Sequence, residues 1–91
     1  MKQSTQFWKD YSYIIRGKQR RQVIKEMCRP MSVTEIKKKT NLSLSETSRV
    51  LRQFEKQGLA ICITPHEIQG RIYKLTKRGD AIRKFLMGRE K

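Results

Sequence analysis

Between Thr5 and Ile15 the large apolar residues are Phe7, Trp8, Tyr11, Ile14 and Ile15. Their spacing of i, i+1, i+4, i+7 and i+8 marks one face of a helix. A short strand over Tyr13–Arg16 also fits the end of this segment. Gly17 breaks the pattern and is placed to cap a second helix over Lys18–Cys28. There Val23, Ile24, Met27 and Cys28 make the apolar stripe and Lys18, Arg20, Arg21 and Lys25 the opposite face. Arg29-Pro30 ends it, because a residue before proline avoids helical geometry.

The next two helices announce themselves by their starts. Ser32-Val33-Thr34-Glu35 and Ser43-Leu44-Ser45-Glu46 both have the capping-box form. In that form the serine hydroxyl accepts from the amide three residues on and the glutamate reaches back to the serine amide. The first predicts a short helix to Lys39 or Thr40, with Val33 and Ile36 inward. The second predicts a helix to Gln57 with Thr47, Val50, Leu51 and Phe54 inward, closed by Gly58. Thr40-Asn41-Leu42 is a tight turn between them, so the pair reads as the core of a helix-turn-helix.

Leu59–Thr64 is apolar and rich in strand formers, Pro65–Gly70 supplies turn chemistry, and Arg71–Leu75 returns as a second strand. Thr76 can cap a last helix to Met87, with Ala81, Ile82, Phe85 and Leu86 as its stripe. Gly79 lowers helix propensity inside its first turns. Gly88–Lys91 reads as a frayed tail. The expectation is therefore a mainly α chain with one β-hairpin, in the order of a winged helix-turn-helix. Residues 1–91 read as a single winged-helix unit, with a helical extension over 1–16, the helix-turn-helix and wing over 18–75 and a C-terminal helix over 76–88.

Charge narrows the function. Lys and Arg number 22 against 8 Asp and Glu, a formal net charge of +14 in only 91 residues. Such self-repulsion points to a polyanionic partner, and the regular apolar spacing argues against a disordered basic tail. No stretch approaches the ~20 apolar residues of a membrane span, and the first residues lack the apolar core of a leader peptide. Cys28 and Cys62 are far apart, outside any metal-ligand spacing, and read as buried free thiols of a cytoplasmic protein. One histidine, no paired carboxylates and no Gly-rich phosphate loop argue against an enzyme, and no cofactor, metal or small-molecule effector is indicated.

With its apolar side packed inward, the second capped helix presents Ser45, Arg49, Arg52 and Lys56, flanked by Ser48 and Gln53. Arginines can grip guanine through two donors, and hydroxyls and an amide can read other base edges in the major groove of double-stranded DNA. Arg49 and Arg52 are the leading candidates for base contact. Ser43, Ser45 and Ser48 sit where free helix amides assist phosphate or base contacts, and Lys56 suits the backbone. On the hairpin, His66, Gln69 and Arg71 lie at the tip with Lys74 behind, and a basic wing residue suits the narrow minor groove. Lys38, with Lys37, Lys39 and the Lys18–Lys25 cluster, offers phosphate contacts. The plain alternative for each charge is a solvated surface.

Phe7, Trp8 and Tyr11 either cover the chain's own core or pair with Ile82, Phe85 and Leu86 across a two-fold axis. A homodimer with recognition helices about 34 Å apart is expected, because one such helix reads few bases.

Over Ile14–Leu86 the chain resembles archaeal winged helix-turn-helix regulators of the broad ArsR/MarR-like type. The resemblance rests on IIRGKQRRQVIKEM, SVTEIKKKTNLSLSETSRVLRQFEKQGLA, ITP and GRIYKLTKRGDAIRKFL. It implies a transcriptional regulator with Ser43–Lys56 as recognition helix and Pro65–Arg71 as wing; such a DNA-binding role leads to the expectation of a cytoplasmic, nucleoid-associated protein. The cysteine-rich or His/Asp motifs of metal-sensing members are absent. Two other binding roles remain open: a chromatin-type protein coating DNA with little sequence preference, and a winged-helix module for protein or RNA. The basic face disfavours the latter.

Overall fold

The computed structural model describes residues 4–67 and 70–89. Five helices, α1 (Thr5–Ile15), α2 (Lys18–Glu26), α3 (Val33–Thr40), α4 (Leu44–Gln57) and α5 (Lys77–Arg89), surround a small sheet of β1 (Met31–Ser32), β2 (Ala60–Cys62) and β3 (Ile72–Leu75). The order matches the winged helix expected from the sequence.

Side chains cap the starts of α1, α3 and α4, whereas α2 opens at Gly17 with no side-chain cap. Ser4 accepts from the Phe7 amide at 3.1 Å to open α1. Ser32 and Ser43 form complete capping boxes with Glu35 and Glu46, each hydroxyl accepting from the glutamate amide and each carboxylate accepting from the serine amide. Two of the orphan amides at each helix start are thereby satisfied locally. Between the two helices Asn41 takes the left-handed conformation at φ 60°, which asparagine tolerates better than most residues. Gly58 does the same at φ 80° to end α4.

The core lies where all five helices converge on the sheet. Ile14, Ile24, Met31, Ile36, Leu51, Phe54, Leu59 and Ile82 are fully buried, and each large side chain of this kind contributes about 1.5–3 kcal/mol by leaving water. The buried hydroxyls of Thr40 and Thr47 donate back to Ile36 O and Ser43 O at 2.8 and 2.9 Å.

The third strand was not expected. β1 is only two residues long, pairing antiparallel with β3 through Met31↔Tyr73 and Ser32↔Ile72, so the sheet order is β1-β3-β2. Too short for any alternation, it exists because β3 offers it a free edge. Reaching that edge also ends α2 early: Met27 already leaves helical geometry at φ −83°, ψ 58°, two residues before the expected stop. Cys28, just past the helix, is exposed and Cys62 of β2 is half-buried, both free, which corrects the expectation of two buried thiols.

The hairpin strands are shorter than their apolar runs, with register Ala60↔Leu75, Ile61↔Lys74 and Cys62↔Tyr73. Beyond them, the Ile63 amide donates to Ile72 O at 2.9 Å and the Ile72 amide to Thr64 Oγ1 at 2.9 Å, carrying the hairpin outward as a wing.

α5 continues through Gly88 and Arg89, part of the expected tail. Its buried residues are Gly79, Ile82 and Leu86, whereas Ala81 faces out. Gly79 is buried for a steric reason. A Cβ on Gly79 would lie 2.1 Å from the Leu59 carbonyl oxygen, so the bare glycine lets α5 seat against the end of α4. Thr76 completes this joint, its amide donating to Leu59 O at 3.0 Å and its hydroxyl to Gly58 O at 2.8 Å. The same hydroxyl accepts from the Gly79 amide at 3.3 Å, as a cap should.

Candidate nucleic-acid interface

α4 divides cleanly into two sides. Thr47, Val50, Leu51 and Phe54 are buried, and Ser45, Arg49, Arg52 and Lys56 are exposed on the opposite side. Ser48 and Gln53 are half-buried on the two flanks of that row. Seated at its C-terminal end by the Gly79 joint and at its N-terminal end by the capping box, the helix cannot roll without breaking buried contacts. The outward row is therefore held as a rigid ridge.

A groove runs along each flank. On one side Ser45, Ser48 and Arg52 face Val33 and Thr34 of α3 and Arg71 of the wing. On the other, Arg49 and Gln53 face the α1–α2 junction from Arg16 to Arg20. The sequence reading placed Arg49 and Arg52 together. The structure puts them in the same outward row but tips them toward different grooves.

Several expected contacts are already partly engaged. The Ser43 hydroxyl accepts from the Glu46 amide at 3.1 Å, which leaves only its own proton to donate. Arg71 is exposed, and its Nε donates to Glu67 O at 2.8 Å, folding the guanidinium stem over the wing turn. His66 and Lys38 are exposed, the former on the wing and the latter at the end of α3. Gln69, expected at the wing tip, lies outside the described residues.

Arg20 and Arg21, read from sequence as phosphate contacts, have structural duties. Arg20 donates to Tyr13 O at 2.8 Å and stacks its guanidinium 3.9 Å from the Tyr13 ring centroid. Arg21 donates to Ile15 O. Both satisfy carbonyls at the C-terminal end of α1, where the helix dipole favours cations. Gln19 was not singled out by sequence at all. It accepts from Arg49 Nη2 at 3.0 Å and donates to Glu46 Oε2, linking α2 to the exposed row. The Ser43 amide above all, with the Ser43 side chain, Gln19 and the charge of Arg49, holds the Glu46 carboxyl below its ordinary pKa.

The six aromatic and aliphatic residues, which the sequence offered either as cover for the chain's own core or as a two-fold contact, meet within one chain. Phe85 of α5 packs edge-on against Phe7, Tyr11 and Trp8 of α1, with ring centroids 5.3, 5.2 and 5.8 Å apart. Phe7, Ile82 and Leu86 are buried in the core. This corrects the grouping of all six as a dimer surface: the α1 stripe faces α5 directly. Trp8 stays 47% exposed, with Ile15 and Met87 also open to solvent.

Among the described residues no group of three or more His, Cys, Asp or Glu side chains gathers as a metal site. No described helix is long and apolar enough to cross a membrane.

Residues 22–60, from within α2 to the start of β2, match the model of the IclR helix-turn-helix domain. Solved structures share the fold. The crystal structure of a MarR family transcription regulator superposes with a TM-score of 0.73 at 18% identity, over 92% of this chain and 58% of that one. The crystal structure of NadR in complex with 4-hydroxyphenylacetate gives 0.68 at 17% identity, over 90% of this chain and 63% of that one. The chain thus spans about three fifths of the length of these two neighbours. No curated protein sequence is significantly similar to it.

Proposed function

We propose that this chain is a sequence-specific double-stranded DNA-binding unit of a transcription regulator, a binding protein rather than an enzyme. Its recognition element is α4, lying in the major groove with Arg49 and Arg52 on base edges. Ser43, Ser45, Ser48 and Gln53 make the lesser polar contacts, and Lys56 and Lys38 touch phosphates. The wing follows along the minor groove through Arg71 and His66. One observation carries the reading: the middle of α4's exposed side is a row of two arginines, a lysine and a serine, with Glu55 exposed at its edge, while its other side is locked into the core. The net charge of +14 supplies the long-range attraction. The match to a helix-turn-helix model over residues 22–60 supports the same reading.

The unit acts as a homodimer, since a single α4 spans too few base pairs for useful discrimination. Trp8, with the outer edges of Tyr11 and Phe85, is the surface left for the second copy. A soluble cytoplasmic, nucleoid-associated protein follows from this role.

Selection of bound duplexes from a random pool, followed by competition against excess random duplex, tests the reading. A regulator enriches one motif and holds it against competitor by about 10³-fold or more. Equal competition by random duplex would instead identify a coating protein of low specificity, which the high charge alone also suits.

A further inference from the structure

We infer that Gln19 sets the base preference of the α4 ridge, by holding Arg49 clear of Glu46 and presenting it to the duplex. The inference rests on the DNA-binding reading above and adds a residue outside the recognition helix to it.

Glu46 and Arg49 are three residues apart on one helix, the spacing at which opposite charges pair directly. Such a pair would lay the guanidinium along the helix, occupied by a carboxylate that competes with guanine for the same donors. Among the described residues no such ion pair forms. Gln19 stands between the two, its Oε1 accepting from Arg49 Nη2 at 3.0 Å and its Nε2 donating to Glu46 Oε2. The amide has one usable orientation here. Rotated by half a turn, it would set its N–H groups against a guanidinium and its oxygen against a carboxylate.

Both ends of the link are anchored. Glu46 Oε1 accepts from the Ser43 amide at 3.0 Å, fixing the carboxylate at the start of α4. Gln19 is followed by Arg20 and Arg21, which fasten α2 to the last carbonyls of α1. Gln19 uses one N–H of Arg49 and leaves the others, enough for a two-donor grip on a guanine edge. Gln19 is a positioning residue: it fixes where the arginine stands, and need not touch DNA itself.

The test compares wild type, Arg49→Ala, Gln19→Met, Gln19→Glu and the Arg49→Ala/Gln19→Met double variant, by competition with duplexes altered one base pair at a time around the selected motif. Methionine keeps length and helix propensity without either hydrogen bond. Gln19→Met is expected to weaken discrimination by about 3- to 10-fold at the same position that Arg49→Ala affects. Its salt dependence stays unchanged, and it adds less than about 2-fold in the Arg49→Ala background, as expected of coupled residues. Gln19→Glu gives Arg49 a charged partner and lowers affinity for the selected duplex further. It probes the same link should the methionine variant unfold.

Full discrimination in Gln19→Met, a uniform loss across all duplexes, or independent effects of the two substitutions would overturn the inference while leaving the DNA-binding reading intact. Unchanged preference in Arg49→Ala would overturn Arg49 as a base reader and the role of Gln19 with it.

Discussion

Arg78 donates to both carboxylate oxygens of Asp10, from Nε at 3.0 Å and Nη2 at 2.8 Å, although 68 residues separate them. The same Nη2 reaches Gln57 O at 3.0 Å, so one guanidinium ties α1, the end of α4 and the start of α5. Asp10 is 5% exposed. Burial by itself pushes its carboxyl upward, but the hydrogen bonds from Arg78 and Gln6 and the Arg78 charge outweigh burial and hold it below its ordinary pKa. The ridge proposed to enter DNA is thus clamped to the N-terminal helix by a paired buried charge.

A lowered carboxyl stabilises the fold at pH values above its unfolded pKa of about 3.9, and that stability is lost as pH falls through the lower folded value. Asp10→Asn should therefore cost about 1–3 kcal/mol near neutral pH and flatten the acid limb. Glu35 and Glu46, lowered by their cap contacts, retain part of that limb in the variant. Thermal unfolding followed from neutral pH into acid checks this; parallel curves for variant and wild type would contradict it.

Gly79→Ala pits two effects against each other. Alanine improves helix propensity by about 1 kcal/mol. Its Cβ, however, would meet the Leu59 carbonyl oxygen at 2.1 Å, and backbone cannot step aside as a side chain can. Overpacking of this kind costs about 1–3 kcal/mol or more, so net destabilisation is expected, with a Tm about 4–8 °C lower for each kcal/mol. Gly88→Ala, where nothing lies within 4 Å, is the control and should be neutral or stabilising.

Legibility followed the range of the interaction. The capping boxes at Ser32 and Ser43 were readable because both partners sit within four residues. The inward stripe of α4 was readable because burial repeats with the helix. β1 was hidden, since two residues carry no period and its partner strand lies some forty residues on. Gly79 looked like a weak spot in a helix, when it is the point of closest approach to Leu59. For Arg20 and Arg21 the sequence shows the charge but not the α1 carbonyls to which they donate. Asp10 and Gln19 carried no local signal.

Arg52 and Lys56 share the exposed row of α4 but should fail differently. Arg52→Ala is expected to lower affinity for the selected duplex by about 5- to 100-fold and relax one base position. Lys56→Ala should weaken every duplex alike and reduce the salt slope by about 0.9. Fluorescence anisotropy titrations over a range of salt concentrations separate the two. Identical behaviour would contradict the division into base and phosphate contacts.

Trp8 tests the proposed dimer. It packs edge-on against Phe7, Tyr11 and Phe85, yet nearly half its surface faces solvent. Trp8→Ala should leave a folded protomer, losing about 0.5–1.5 kcal/mol for each aromatic pair removed, and weaken self-association by about tenfold or more. Sedimentation equilibrium reads this directly; unchanged association would move the interface elsewhere.

The central claim is that the outward row of α4 occupies the major groove. Methylation interference at guanine N7 probes that groove and no other. For the selected duplex, methylating the guanines gripped by Arg49 and Arg52 should abolish binding by the wild-type protein, and Arg52→Ala should become indifferent to one of those methyl groups. Wild-type binding untouched by N7 methylation anywhere in the site would contradict the account.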